Sequence, residues 1–398
     1  ICACLVGSEM CIRDRLTDVD VKYLLLYFEE NYGLTVEKKI IDAVAVIANE
    51  NRYHPVCDFL NALQWDGTER IRFCLHRFLG SDTDDYTYEA LKLFLLGAIS
   101  RAFKPGCKFE VMLCLVGGQG AGKSSFFRLL AVNDDWFSDD LKKLDDENVY
   151  RKMQGHWIIE MSEMIATANA KSIEEIKSFL SRQKETYKIP YETHPADRKR
   201  QCVFGGSSNT LDFLPLDRTG NRRFVPVMVY PERAEVHILE DEQASREYIN
   251  QMWAEAMEIY RSGNFRLRFS PAMNDYLKAH QKDFMPEDTK AGQILDYLER
   301  YSGSMVCSKQ LYKEALGHDY DEPKQWELRE INDIMNNAVT GWRAFSNPRY
   351  FPEPYRRQKG WERIRNDNEP DNSMDGFQEI PTEEMEQLGL PEEWLKQK

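Results

Sequence analysis

The sequence holds no C-x-x-C pair, no uninterrupted apolar run near the roughly 20 residues that span a bilayer, and no excess of positive charge. Each absence excludes something. Its nine cysteines and seven histidines are scattered, which argues against a zinc framework or a disulfide scaffold and leaves buried free thiols in a reducing cytosol. Without a spanning run the chain is read as soluble, with no membrane partner. A formal charge of −14 excludes a general polycation, so contact with nucleic acid has to come from local basic clusters. At 398 residues, 42% hydrophobic and 30% charged, the chain is globular and long enough for two or three domains.

What is present centres on residues 117–125. Gly117, Gly118, Gln119, Gly120, Ala121, Gly122, Lys123 and Ser124 spell a complete G-x-x-x-x-G-K-[ST] loop, followed by Ser125, and the apolar run Phe109–Val116 leads into it. The glycines let the backbone curl so that its N–H groups point at phosphates. Lys123 spreads positive charge over the β- and γ-phosphates, and the Ser124 hydroxyl is placed to ligate Mg²⁺ at a helix start whose dipole favours anions. The expected ligands are therefore ATP and Mg²⁺, on an α/β P-loop core.

Two further strands carry polar tips. Gly155–Glu163 is an apolar stretch ending in Glu160 and Glu163, a Walker B candidate in which one carboxylate holds Mg²⁺ and the other orients or deprotonates water. Gln201–Asn209 ends in an amide, and Asn209 there can bond both the γ-phosphate and the lytic water. Arg222 and Arg223 follow at a strand start. One of them could reach a neighbouring subunit's nucleotide as a finger, but strand alternation should turn the pair to opposite sides.

Between the acidic and amide strands, basic and aromatic residues alternate across a predicted hairpin that includes Arg182, Lys184, Tyr187 and Lys188. That mixture suits single-stranded nucleic acid, where cations follow the backbone and aromatics stack on bases. A solvated charged loop is the plainer alternative. Near the C-terminus the spacing predicts helices over 294–300, 308–316 and 324–337, then an aromatic, basic hairpin with Arg356, Arg357 and Lys359. This is the pattern of a winged helix, a module that binds duplex DNA or protein.

The expected organisation is a helical lead-in domain over 16–104, a P-loop core over 105–285, a winged-helix-like domain over 286–365 and an acidic tail over 366–398. Residues 1–15 are set aside, because Cys4–Arg15 looks like a translated sequencing-library adapter. On that expectation the natural N-terminus is missing.

Together the motifs resemble the virulence-associated protein E family. They are His54-Pro55, Trp65-Asp66-Gly67-Thr68, Pro105-Gly106-Cys107-Lys108, the phosphate loop, Glu160 and Glu163, Gly205–Asn209, Thr219–Phe224, Trp253-Ala254-Glu255-Ala256 and Arg357–Trp361. The resemblance implies P-loop ATPases of phages, plasmids and genomic islands related to superfamily 3 helicases. It further implies an AAA+-like core, a homo-oligomeric ring, a cytoplasmic setting in a prokaryotic host, and primase-associated replication work on single-stranded or origin duplex DNA. Glu160 departs from the family's usual Asp. The main expectation is an ATP-hydrolysing DNA helicase or translocase. The alternatives are a DNA-binding replication or interference factor that uses ATP as an assembly switch, and a small-molecule P-loop kinase.

Overall fold

The computed structural model describes residues 18–51, 53–141, 144, 149–161, 170–187, 196–214 and 221–364. The adapter-like segment, the acidic tail, Glu163, Lys188, Thr219 and Gly220 lie outside the described residues. The chain divides into two compact units, between Glu287 and Asp288.

In the first unit, helices α1 (Asp18–Tyr32), α2 (Glu37–Glu50), α3 (Pro55–Ala62), α4 (Ile71–Leu79) and α5 (Asp85–Phe103) precede strand β1 (Met112–Val116). Then come α6 (Lys123–Leu130), β2 (Phe137–Ser138), α7 (Val149–Met153), β3 (Ile158–Glu160) and α8 (Ala170–Leu180). A hairpin of β4 (Lys184–Tyr187) and β5 (Ala196–Lys199) leads to β6 (Val203–Ser208), β7 (Phe224–Met228), α9 (Glu242–Ser262) and α10 (Pro271–His280). Five strands form one parallel sheet in the order β2-β3-β6-β1-β7. The fold is thus α/β, and β6 is inserted between β1 and β3.

Both faces of the sheet are covered, and β1 shows why the sequence permits this. Its side chains alternate: Leu113 and Leu115 join one core with α3–α6 and α9, while Met112, Cys114 and Val116 join another with α7, α8, Phe213 and Phe284. Helix α5 is buried on nearly every side from Tyr86 to Ala102, as expected of a helix apolar all round. Asp84 starts it by accepting from the Thr87 N–H at 2.8 Å. Fully buried Trp157 and Trp253 stack with centroids 4.5 Å apart. Their indole N–H groups donate to Ala98 O at 3.0 Å and Leu130 O at 2.9 Å, tying β3 and α9 to α5 and α6.

Helices α3–α5 share a core with the sheet.

The second unit contains α11 (Thr289–Arg300), β8 (Met305–Cys307), helical turns at Ser308–Gln310 and Leu311–Ala315, and α12 (Gln325–Asn337). Strands β9 (Trp342–Ala344), β10 (Arg349–Phe351), β11 (Arg356–Gln358) and β12 (Gly360–Arg363) follow. An antiparallel sheet in the order β8-β12-β9 and a β10–β11 hairpin complete it. Ile294, Leu298, Leu311, Ile331, Ile334 and Trp361 fill its core. Among the described residues of the chain, no helix is long and apolar enough to cross a membrane.

Candidate functional site

The loop between β1 and α6 is fixed by the backbone it packs against. Gly117 N donates to Ser208 O at 3.1 Å, and a Cβ at Gly117 would fall 2.5 Å from Val229 O. Gly122, with φ of +77°, takes the left-handed turn that starts α6. Gly118, Gln119 and Gly120 form the exposed crest, Ala121 is buried and Ser125 is half-buried.

Lys123 folds back over this loop. Its Nζ donates to Gly117 O and Gly118 O, each at 2.7 Å, and to Asn209 Oδ1 at 3.0 Å. Burial lowers its pKa, opposed by the nearby Glu160 carboxylate. Asn209, expected at the tip of the amide strand, lies just beyond β6 and does meet the lysine.

Glu160, at the end of β3, is 1% exposed. Ser124 Oγ donates to its Oε1 at 2.8 Å, and Ser207 Oγ donates to the same oxygen at 2.5 Å. The other oxygen, Oε2, is buried with no hydrogen-bond partner among the described residues. Burial raises the carboxyl's pKa, the two hydroxyl donors oppose that rise, and Asp139 adds to it. Ser207 and Asp139 are absent from the sequence-based set. Ser207 could have been found as the last residue of β6 on the Asn209 side, and Asp139 as the acid just past β2, the neighbour of β3.

Arg222 and Arg223 occupy a different place. They sit in a turn before β7, not in a strand, so alternation does not apply and the expected divergence is corrected. Both converge on Glu110: Arg222 Nη2 donates to Oε1 at 3.0 Å, and Arg223 Nε lies 3.5 Å from Oε2. Arg223 also donates to Ser181 Oγ at 2.9 Å. Its side chain is 22% exposed, against 65% for Arg222. They lie where β1 and β7 begin, whereas the glycine loop follows the end of β1. With five residues in β1 and about 3.3 Å per residue, roughly 13 Å of strand separates them.

The predicted hairpin exists, but three of its described cations are engaged within the fold. Lys184 pairs with Asp197, Arg182 with Glu185 at 3.6 Å, and buried Arg200 with Glu185. In the second unit, Arg356, Arg357 and Lys359 are exposed on and beside β11. Arg356 faces Glu353 at 3.3 Å.

Several signature residues prove to be architectural. Arg70 clasps both carboxylate oxygens of Asp66 at 2.7 and 2.6 Å, and the Trp65 indole donates to Thr68 O at 2.9 Å. Glu255 of α9 accepts from Arg70 N at 2.6 Å and Ile71 N at 2.9 Å, capping α4. His54 caps α3 by accepting from Cys57 N at 3.2 Å, while its Nε2 meets Gln201 Oε1 at 3.1 Å; burial lowers its pKa.

No curated protein matches the sequence. Among solved structures, the A form apo structure of the NrS-1 C terminal region is similar at a TM-score of 0.45 and 13% identity, covering 77% of this chain and 78% of that chain. Another apo structure of the same region gives a TM-score of 0.42 at 13% identity, with coverage of 77% and 78%. The family model for the virulence-associated protein E-like domain matches residues 60–286, an interval holding the glycine loop, Glu160, Asn209, both arginines and the capping Glu255. The chain belongs to the virulence-associated protein E-like domain family.

Proposed function

We propose that the chain is an ATP-hydrolysing motor or switch of a phage or mobile-element replication system, most simply a DNA helicase or translocase. One observation carries this reading: Lys123, Ser124, Glu160 and Asn209, from three separate parts of the sequence, meet in one hydrogen-bonded cluster beside the glycine loop. Such convergence beyond the carboxyl ends of parallel strands is the usual setting of a ligand site in an open α/β sheet. The sheet order, with β6 between β1 and β3, supports an AAA+-like core. Three helical segments with a small antiparallel sheet support a winged-helix-like second unit.

The residues fit Mg²⁺ and a nucleoside triphosphate. Glu160 Oε2 is a buried carboxylate oxygen without a partner among the described residues, beside the Ser124 hydroxyl, which is the donor set expected of a hard cation. The metal, when bound, would neutralise charge on the phosphate oxygens. Lys123 would exchange neutral carbonyl acceptors for phosphate oxygens, which compensate its buried charge better. Asn209, released from the lysine, would orient the attacking water. Glu163 stands as the proposed base, and Arg222, at the opposite end of the strands from the glycine loop, would serve a nucleotide bound to another copy in a homo-oligomeric ring.

The hairpin's internal ion pairs favour one alternative, a DNA-binding factor that uses ATP to switch assembly with little turnover. Measuring hydrolysis by the purified protein with and without single-stranded DNA separates the two. A motor should be stimulated several-fold, with Lys123→Ala inactive in both conditions. Equal slow turnover with and without DNA would favour the switch, and an active Lys123→Ala variant would remove the nucleotide site altogether.

A further inference from the structure

A cavity of about 900 Å³ opens beside Arg222, lined by Lys108, Glu110, Arg222, Arg266, Arg268 and Lys278. We propose that Arg266 and Arg268, together with Lys108, complete a cleft that receives the terminal phosphates of a nucleotide held by a second copy of this chain. The inference rests on the nucleotide reading above. It extends the contribution in trans from Arg222 to Arg266 and Arg268, which no motif in the sequence singles out, and to Lys108 of the Pro105–Lys108 signature.

The cleft is built for an anion. Residues 265–269 alternate, with Phe265 and Leu267 half-buried, Phe269 buried, and Arg266 and Arg268 exposed between them. Apolar side chains thus anchor the segment, and both guanidinium groups line the cavity. Neither arginine, nor Lys108, has an ion-pair partner among the described residues. Glu110, the single carboxylate in the lining, is already engaged by Arg222 and Arg223. Lys278 pairs with Asp275 at 3.8 Å, with both side chains mostly exposed, a pair of little strength.

The ligand's chemistry and source follow from what the cleft lacks and where it sits. Its aromatic ring, Phe269, is buried, so the cleft offers charge without a surface on which bases could stack. Phosphates suit it better than a nucleic-acid strand, whose binding relies on both. Its rim, formed by Lys108 and Glu110 before β1 and by Arg222 before β7, lies at the opposite end of the strand from the glycine loop. The chain's own nucleotide is therefore out of reach, while one protruding from another copy is not. Two copies each carrying a charge of −14 repel one another. A bound triphosphate facing this cleft would supply a complementary contact, so association should depend on nucleotide.

Sedimentation velocity with and without the non-hydrolysable analogue AMP-PNP tests this. Wild-type protein should associate when AMP-PNP is present. Arg266→Ala/Arg268→Ala should associate at least about tenfold more weakly, while binding a fluorescent AMP-PNP derivative within twofold of wild type at dilute concentration. Arg266→Lys/Arg268→Lys, which keeps the charge, should retain most of the association and guards against simple misfolding. Mixed with Lys123→Ala, whose cleft is intact, the double alanine variant should regain hydrolysis. Undiminished association would overturn the proposal. So would intact association with a tenfold loss of affinity for labelled oligo(dT), which would mark a nucleic-acid groove instead. Wild-type protein that binds AMP-PNP without associating defeats the cleft alone, whereas failure to bind AMP-PNP defeats the nucleotide reading beneath it as well.

Discussion

Ser124 Oγ donates to Glu160 Oε1 at 2.8 Å, joining the first turn of α6 to the tip of β3. Ser207 donates to the same oxygen at 2.5 Å. With two hydroxyls on Oε1 and no partner for Oε2 among the described residues, the carboxylate is oriented but only half satisfied by them. A buried acceptor left in that state costs about 1–3 kcal/mol, a penalty that a bound cation would offset. This asymmetry supports a metal role for Glu160 and leaves the proposed base role to Glu163.

Glu160→Gln should therefore separate stability from function. Burial raises the Glu160 pKa, so the stability linked to its protonated form is present at acid pH and is lost as pH rises through that raised range. At neutral pH the nucleotide-free variant should melt higher than wild type, by about 2–4 °C for each kcal/mol recovered. The gap should close as pH falls toward the ordinary glutamate value. Its Mg²⁺-dependent hydrolysis should drop sharply. Melting curves across pH check this, and a variant less stable than wild type at every pH would mean that Glu160 is fully satisfied by other means.

Arg222 and Arg223 should fail differently. Arg222 is the more exposed, so Arg222→Ala should leave the melting temperature nearly unchanged and reduce hydrolysis by a factor on the order of 10³, the low end for an arginine acting on a phosphoryl group. Arg223 ties Glu110 to Ser181 at the end of α8, so Arg223→Ala should lower the melting temperature as well. Mixing Lys123→Ala with Arg222→Ala should restore activity, because each subunit keeps what the other lacks. Absence of rescue, with activity linear in protein concentration, would place hydrolysis within single chains.

Glu255 offers a test of architecture without chemistry. It is buried in α9 and holds the Arg70 and Ile71 N–H groups at the start of α4. Glu255→Ala would leave two donors without this acceptor, and should cost about 1–3 kcal/mol, read as a lower denaturation midpoint with an unchanged affinity for nucleotide. Loss of nucleotide binding in a still folded variant would show that this signature residue reaches the site.

The glycine loop, the acidic strand and the amide strand were legible because each follows an apolar run with a polar tip, a pattern set by local geometry. What escaped was set by tertiary packing. Ser207 acts on Glu160 only because β6 pairs with β3, a pairing no local pattern announces. Likewise, Arg222 and Arg223 share Glu110 because a turn, not a strand, carries them. The hairpin was correctly placed, but composition alone could not reveal that Glu185 and Asp197 engage its cations.

The second unit supplies the last prediction. Among its basic residues beside β11, Arg357 and Lys359 are exposed with no ion-pair partner among the described residues, whereas Arg356 faces Glu353. If this unit grips duplex DNA as a winged helix does, Arg357→Ala and Lys359→Ala should each remove about one phosphate contact. The log–log salt dependence of duplex affinity should then become shallower by about 0.9 per substitution, with little effect from Arg356→Ala. Fluorescence anisotropy across a salt series reads the slope directly. Equal slopes for wild type and the double variant would assign the unit to protein contacts, and DNA binding would have to come from the first unit.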